Sequence, residues 1–152
     1  MKKLFLLGIL SVFFINPAFA YDKGLAKSYD QYFSPFSGKG TPKALQMIPT
    51  KAFIESLKKG DKLFVVDIRT PGETGVYGLT LSNSIVLPMN EVFKPENLEK
   101  IPTSGKVVIV CKAGHRAMAV ATGLRHVGFK NVFSLKKGIS DVANYLSPKN
   151  AY

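Results

Sequence analysis

The sequence of 152 residues is poor in the residues from which disulfides and metal sites are built: it has one cysteine and two histidines, and it has no tryptophan. One cysteine cannot form a disulfide within the chain, and one cysteine with two histidines cannot supply the ligand spacing of a metal motif. We therefore predict neither an internal disulfide nor a metal site. No internal repeat is present, and the length fits one domain.

Acidic residues are also scarce: 10 Asp and Glu stand against 21 Lys and Arg, which gives a formal net charge of +11. Such an excess is typical of proteins that bind nucleic acid, anionic lipid or anionic small molecules. The lysines are scattered, however, and neither a stacking motif nor an amphipathic basic helix accompanies them. We therefore expect no nucleic-acid partner and a modest attraction of anionic substrates.

The N-terminal residues have the three parts of a secretory signal peptide. Lys2 and Lys3 form the basic start, Leu4 to Ile15 the apolar stretch, and Ala18 to Ala20 the small-residue cleavage site. Because the apolar stretch is short and a cleavage motif follows it, we do not expect an integral membrane protein. We predict that residues 1–20 are a signal peptide, cut after Ala20, and that the protein is periplasmic.

The remaining chain divides into three parts. Residues 21–43 form a polar N-terminal extension, residues 44–147 the domain, and residues 148–152 a C-terminal tail. The aromatic side chains of the extension are expected to pack onto the domain or onto a second copy of the chain, so a homodimer is an open alternative. These aromatic residues are Tyr21, Tyr29, Tyr32, Phe33 and Phe36.

Short apolar runs alternate with helical patterns within the domain. We predict strands over 44–48, 63–68, 84–87, 107–110 and 131–135. Helices are predicted over 51–59, near 95–100, over 117–127 and over a last segment ending near residue 146. For the first of these helices, Thr50 is the expected N-cap and Gly60 the stop. Strands alternating with helices predict an α/β fold with a mainly parallel central sheet.

Cys111 follows the apolar run Val107 to Val110, whose β-branched residues predict a strand buried on both faces. A loop containing Gly114 comes next and then the predicted helix, so Cys111 is expected to face a helix N-terminus. The unpaired N–H groups and the dipole of a helix favour an anion at that place, and Lys112 and Arg116 add positive charge. We predict a thiol that ionises readily and acts as a nucleophile.

A lone cysteine is more often a small, buried, hydrophobic residue. Here the cysteine comes after the strand and opens a glycine-containing turn with cationic neighbours, and this arrangement favours an anion site. In an oxidising compartment an unpaired thiol is either a liability or the reactive group of the protein. The loop around Cys111 favours the second interpretation, that this thiol is the reactive group of the protein.

Four segments carry a family resemblance. In chain order they are Val65-Val66-Asp67-Ile68-Arg69 with Glu73 following, Cys111-Lys112-Ala113-Gly114-His115-Arg116-Ala117, Gly128-Phe129-Lys130-Asn131-Val132, and Leu135-Lys136-Lys137-Gly138-Ile139. With these motifs the chain resembles the single-domain rhodanese (sulfurtransferase) family over about residues 44–147. Two segments depart from the family's pattern: Tyr77 to Ser84 contains no histidine, and Lys137-Gly138 stands where the family has two glycines.

The resemblance implies a three-layer rhodanese-like fold and a persulfide mechanism. Cys111 would attack the outer sulfur of an anionic inorganic donor, thiosulfate or polysulfide, and pass that sulfur to a thiol or cyanide acceptor. Because the intermediate is a persulfide on Cys111, no cofactor is expected. The donor is expected to bind the loop residues Lys112, Ala113, Gly114, His115, Arg116 and Ala117.

The side chains of this site are expected to have different roles. Lys112 and Arg116 would bind the anionic end of the donor, and Arg116 offers the planar fork that suits an oxyanion. His115 either assists donor binding or faces solvent. Asp67 and Arg69 are expected to form a supporting charge pair that orients the cysteine loop, because buried charges need partners.

Two other classes of protein stay open. A cysteine-dependent phosphatase or arsenate reductase also places a thiolate and an arginine in an anion-binding loop. Related phosphatases have a loop one residue longer, and the four residues between Cys111 and Arg116 favour the smaller sulfur atom. The second alternative is a non-catalytic rhodanese-like module that binds a partner, although such modules often lack the cysteine that this chain has.

Overall fold

A five-stranded sheet forms the centre of the protein. The computed structural model describes residues 20–38 and 41–150, so the predicted signal peptide lies outside the described residues except for Ala20. The strands run parallel in the order β1-β5-β4-β2-β3, which gives the predicted α/β fold with a parallel sheet. They are β1 (Met47–Ile48), β2 (Leu63–Asp67), β3 (Ser84–Val86), β4 (Lys106–Val110) and β5 (Val132–Leu135).

Helices connect the strands and flank the sheet. They are α1 (Lys23–Phe33), α2 (Thr41–Ala44), α3 (Thr50–Lys58), α4 (Pro71–Val76), α5 (Pro95–Leu98), α6 (His115–His126) and α7 (Gly138–Tyr145). A short 3-10 turn, Pro148–Asn150, lies in the predicted C-terminal tail. Within residues 20–38 and 41–150, no helix combines the length and the apolar character needed to cross a membrane.

Side chains that alternate along β4 build two hydrophobic cores. Val107 and Ile109 are buried in one core together with residues of α6. Val108 and Val110 are buried in the other core together with residues of α3 and α7. Because successive residues of a strand point to opposite faces, a wholly apolar strand is buried on both. The predicted three-layer architecture, a sheet between two layers of helices, is therefore confirmed.

The site is positioned by two neighbouring strands in the middle of the sheet. Asp67 at the end of β2 is in register with Val110 at the end of β4. The segments that follow these strands consequently emerge side by side at the carboxyl edge of the sheet, where ligands bind in open parallel α/β folds. Cys111 follows one strand, and Arg69 lies just beyond the other.

Two local predictions differ from the structure. The first strand covers only Met47–Ile48, because helix α2 includes Ala44 and a turn follows it in which Gln46 has a φ of 50°. Thr50 is not the N-cap of α3, since Pro49 takes that position. The Thr50 hydroxyl donates instead to the Asp141 carboxylate at 2.6 Å. A contact with a distant segment therefore replaces the local capping bond.

The N-terminal extension contains helix α1, which the sequence pattern did not predict. The rings of Tyr29 and Tyr32 lie 4.2 and 5.0 Å from the ring of His126, at the C-terminal end of α6. The Ser28 hydroxyl is hydrogen-bonded to the same imidazole at 2.8 Å. The extension therefore packs onto the domain, which was one of the two alternatives, and the homodimer stays a prediction.

Candidate active site

The cysteine loop begins with Cys111, directly after β4, and ends at Gly114, directly before α6. Gly114 has a φ of 93°, and a Cβ at this position would lie 2.8 Å from the backbone nitrogen of Lys137. Both the left-handed conformation and the close approach favour glycine strongly. The turn that Gly114 permits directs the N-terminus of α6 at the cysteine.

The Cys111 sulfur lies in a cradle of backbone N–H groups. The N–H of Gly114 donates to Sγ at 3.1 Å and the N–H of Ala117 at 3.4 Å. The first N–H groups of a helix have no acceptor within the helix, and they stabilise a negative charge that lies close to the helix N-terminus. Since Cys111 is only 1% exposed, these contacts form in a largely dry environment. The cradle suits a thiolate or the terminal sulfur of a persulfide.

The N-terminus of α7 fixes the same loop from its other side. The N–H of Ile139 donates to the carbonyl of Cys111 at 2.8 Å, and the N–H of Ser140 donates to the carbonyl of Lys112 at 3.1 Å. Gly138 has a φ of 64°, and a Cβ there would collide with both of these carbonyl oxygens. Gly138 belongs to one of the family motifs, but its contact with the cysteine loop was not predicted.

Arg116 forms a bidentate ion pair with Glu73. Nη1 donates to Oε2 at 2.9 Å and Nη2 to Oε1 at 2.6 Å. Glu73 also accepts the backbone N–H of Thr70 at 2.9 Å, in a capping box at the start of α4. The hydrogen bonds from Arg116 and Thr70 lower the pKa of Glu73 to about 2. The Glu73 carboxylate raises the pKa of Arg116 in turn, and the Cys111 sulfur adds a smaller effect in the same direction.

Asp67 and Arg69 form a second ion pair, and each residue is 1% exposed. Arg69 donates from Nη2 to Oδ2 at 2.7 Å and from Nε to both carboxylate oxygens at 3.0 Å. Its hydrogen bond with Asp67 raises the pKa of Arg69. The Tyr77 ring covers the guanidinium, with 4.9 Å between Cζ and the ring centroid, a cation–π contact. That this pair orients the cysteine loop stays a prediction.

A cavity of about 170 Å³ opens between the cysteine loop and α4. Lys112 is exposed beside it and forms no ion pair with a residue in the described part of the chain. Val76, with 81% of its surface exposed, provides an apolar wall. The residues that line this cavity are Arg69, Glu73, Val76, Tyr77 and Lys112.

The remaining loop side chains lie on the opposite side of the loop. Ala113 and His115 are exposed there and line a second cavity of about 240 Å³, which is bounded by the end of β5. His115 is the first residue of α6 and does not line the cavity that contains Lys112. The structure therefore places Lys112 and His115 at different cavities, although the sequence analysis assigned both to one binding loop.

Sequence reasoning named Glu73 as a motif residue without giving it a role at the site, and it did not assign Tyr77 to the site. Glu73 belongs to the pattern Thr70-x-x-Glu73, which is typical of a capping box and could have predicted the start of α4. Its pairing with Arg116 joins residues 43 positions apart, so no local pattern signals it. Tyr77 lies in the segment that departs from the family pattern, and only the structure shows that it covers Arg69.

Comparison with known proteins identifies the family. Residues 50–145 match the family model described as Rhodanese-like domain, and the chain belongs to this family. "Putative sulfurtransferase YtwF" of Bacillus subtilis (strain 168) is 26% identical over 106 residues, which cover 70% of this chain and 98% of that protein. "Rhodanese-like/PpiC domain-containing protein 12, chloroplastic" of Arabidopsis thaliana is 27% identical over 88 residues, which cover 58% of this chain. The chain spans only 29% of the length of that plant protein.

Solved structures have the same fold. A rhodanese-related protein from Thermoplasma volcanium has a TM-score of 0.57 at 24% identity, with 68% of this chain and 95% of that chain covered. A protein of unknown function from Rhodopseudomonas palustris, described as a possible tyrosine phosphatase, has a TM-score of 0.58 at 21% identity, with 84% and 95% covered. At these identities the likeness shows the fold alone.

Proposed function

We propose that the protein is a sulfurtransferase that carries sulfane sulfur as a persulfide on Cys111. The donor is anionic, such as thiosulfate or polysulfide, and the acceptor is a thiol or cyanide. The observation that carries the proposal is the cradle in which the N–H groups of Gly114 and Ala117 donate to the Cys111 sulfur. Preorganised donors of this kind stabilise negative charge without rearrangement. Family membership and the relative named as a sulfurtransferase support the same reaction.

The transfer needs two steps at one sulfur atom. The Cys111 thiolate attacks the outer sulfur of the donor, and the donor's remaining part leaves with the electron pair of the broken bond. A nucleophilic acceptor then attacks the outer sulfur of the persulfide and releases the Cys111 thiolate. In both steps the N–H groups of Gly114 and Ala117 lie against the Cys111 sulfur, and Lys112 supplies positive charge beside the loop.

The alternative of a phosphatase or arsenate reductase has less support. Such a reaction needs an arginine fork that can hold an oxyanion, whereas both Nη groups of Arg116 donate to Glu73. The cradle on Sγ is formed by two N–H groups and fits a single sulfur atom. These two observations favour sulfur transfer. A partner-binding module without catalysis would not require the cradle.

Mass spectrometry of the intact protein tests the proposed function. After incubation with thiosulfate or polysulfide, we expect a mass increase of one sulfur atom, located on Cys111 and removed by a thiol reductant or by cyanide. Cys111→Ser should show no adduct and no sulfur transfer, while its thermal unfolding stays close to that of the parent protein. Failure to detect an adduct with any sulfane-sulfur donor would contradict the proposal.

We also propose that the protein acts in the periplasm after cleavage behind Ala20. The motivation is the basic, apolar and small-residue order of residues 1–20. Expression of the full chain in a bacterium followed by N-terminal analysis of the periplasmic fraction tests this. The chain should begin at Tyr21, and recovery of an uncleaved chain from the cytoplasm would refute the location.

A further inference from the structure

We propose that a cavity at the amino edge of the sheet binds a free apolar amino acid such as leucine. Leu63 and Lys106, the first residues of β2 and β4, line this cavity, whereas Cys111 follows the last residue of β4. The amino-edge cavity therefore lies at the opposite end of the strands from the cysteine loop. The inference goes beyond the proposed sulfur transfer and does not depend on it.

The amino-edge cavity has the size of a small-ligand site and mostly apolar walls. Its volume of about 310 Å³ lies at the lower end of the range of about 300–1,000 Å³ that is typical of ligand sites. Phe53 and Leu63 belong to the core on the α3 face of the sheet, so packing fixes this part of the wall. Such a wall stabilises an apolar side chain that leaves water. The apolar lining residues are Met47, Ile48, Ala52, Phe53, Leu63 and Phe133.

Lys106 supplies a positive charge to this cavity. Its side chain is exposed, and its ammonium lies over the Phe133 ring, 5.5 Å from the ring centroid. Lys106 forms no ion pair with a residue in the described part of the chain. Of the described residues that line the cavity, none is acidic. The charge of Lys106 is therefore available to a carboxylate group of a ligand.

Gln46 supplies a hydrogen-bond acceptor. Its side-chain oxygen Oε1 is buried and has no hydrogen-bond partner among the described residues. A buried acceptor without a donor costs free energy, and an N–H group of a ligand would remove that cost. The backbone of Gln46 has a φ of 50°, in the left-handed region that glycine adopts more readily. Because the backbone does not favour glutamine here, a role of its side chain in binding explains the residue.

The acceptor and the positive charge lie on either side of one aromatic ring. Strand β5 runs between β1 and β4, and Met47 of β1 is in register with Ser134 of β5. Gln46 therefore comes beside Phe133 on one side, and Lys106 covers the same ring from β4. An apolar amino acid carries a carboxylate for Lys106, an ammonium for Gln46 and a side chain for the apolar wall. It is thus the small ligand that uses all three features of the cavity.

Titration of the purified protein with leucine and three analogues, followed by NMR chemical shifts of the backbone amides, tests the proposal. Leucine should bind with one-to-one stoichiometry and shift the amides that border the cavity. Removal of the ammonium, in 4-methylpentanoate, should weaken binding about tenfold. Removal of the carboxylate, in 3-methylbutylamine, should weaken it about fivefold, because Lys106 is exposed to solvent. Glycine lacks the apolar side chain and should bind at least tenfold more weakly than leucine.

Four variants assign each contact to a residue. Gln46→Leu should weaken the binding of leucine about tenfold and leave that of 4-methylpentanoate unchanged, since only leucine donates to Oε1. Lys106→Gln should weaken both carboxylates and leave 3-methylbutylamine unchanged. Ala52→Phe, at an exposed position of α3, fills the cavity and should abolish binding without lowering the unfolding free energy. Lys27→Gln is the matched control, because this exposed lysine lies on α1, which packs against α6 on the other face of the sheet.

The outcomes separate this proposal from the proposed function. Absence of leucine binding at millimolar concentration, or binding that Ala52→Phe leaves intact, would overturn the amino-edge site. Equal affinities for leucine and 4-methylpentanoate would overturn the amino acid as the ligand. The sulfur adduct on Cys111 should form at the same rate in the parent protein and in Ala52→Phe, because the two sites lie at opposite ends of the strands. Loss of that adduct in the parent protein would contradict sulfur transfer and leave the amino acid site standing.

Discussion

Arg116 donates both of its Nη groups to the two carboxylate oxygens of Glu73, at 2.9 and 2.6 Å. This pair joins α6, which supplies the Ala117 N–H to the Cys111 sulfur, to α4, which follows β2. Arg116 therefore fixes the start of α6, and Glu73 compensates its charge before any ligand arrives. Substitutions at Glu73, Arg116 and Lys112 can separate these effects.

Replacing Glu73 should change stability in a pH-dependent way. The folded pKa of about 2 lies below the ordinary value of 4.5, so Glu73 stabilises the fold above pH 4.5 and loses this contribution as the pH falls through about 2. Glu73→Gln should therefore lower the free energy of unfolding by about 1 kcal/mol at pH 7. In urea denaturation, the difference between the two proteins should shrink as the pH falls below 4.5 towards 2.

Glu55 provides the control for this measurement. It pairs with Lys51 at 3.9 Å, and both side chains are at least half exposed. Glu55→Gln should therefore leave the free energy of unfolding nearly unchanged at pH 7. If Glu73→Gln lowers the free energy of unfolding by the same amount at pH 7 and at pH 2, the Glu73 carboxylate charge is not the cause of the loss.

Gly138→Ala should damage the site through the backbone of the cysteine loop. The added methyl group would collide with the carbonyls of Cys111 and Lys112, and the residue would keep a positive φ. We expect a loss of about 2–4 kcal/mol in unfolding free energy and at least a tenfold fall in sulfur transfer. Gly60→Ala is the matched control, because its φ is also positive, 76°, but nothing lies within 4 Å of the new Cβ. It should cost about 1 kcal/mol and leave the activity unchanged.

Asp67→Asn should be strongly destabilising, because it leaves the Arg69 charge buried without its counter-charge. Loss of one partner of a buried ion pair costs about 3–5 kcal/mol, and both residues are 1% exposed. The double variant Asp67→Asn, Arg69→Met removes both charges and should recover a large part of the loss in urea denaturation. If the double variant is as unstable as the single one, the unpaired charge of Arg69 is not the cause of the lost stability.

Much of the fold could be predicted from the sequence because its determinants are local. The apolar run Val107 to Val110 predicts a strand buried on both faces, and the structure shows β4 at the centre of the sheet with both faces covered. The position of Cys111 after this strand and before a helix follows from the same local pattern. Helix α1 was not predicted although it has a local signal, the N-cap Asp22 with Tyr29, Tyr32 and Phe33 at helical spacing, whereas its docking depends on His126 of a distant helix.

The parts of the site that escaped prediction are contacts between distant segments. Local sequence places Arg116 in the loop next to Cys111 but cannot show that Glu73 occupies its guanidinium. In the same way, Gly138 is recognisable as a motif residue, while its role depends on the carbonyl of Cys111 lying against it. The sequence therefore predicts which residues surround Cys111, and the tertiary structure decides which of their charges lack a partner.

The two cations of the loop should respond differently to neutralisation. Lys112 is exposed and has no ion-pair partner among the described residues, so its charge acts on whatever enters the cavity. The charge of Arg116 is matched by Glu73, so its loss should mainly disturb the start of α6 and leave a carboxylate without its partner. Iodoacetate and iodoacetamide distinguish the two effects, because they alkylate the same thiol and differ in charge.

Lys112→Gln should reduce the alkylation of Cys111 by the anionic iodoacetate about threefold relative to the neutral iodoacetamide, since a solvent-exposed charge contributes up to about 1 kcal/mol. Its unfolding free energy should not change. Arg116→Gln should slow the alkylation of Cys111 by both reagents to a similar degree. It should also lower the free energy of unfolding, and adding Glu73→Gln should restore part of that loss. If Arg116→Gln lowers the iodoacetate-to-iodoacetamide ratio as much as Lys112→Gln does, the Arg116 charge reaches the ligand despite Glu73.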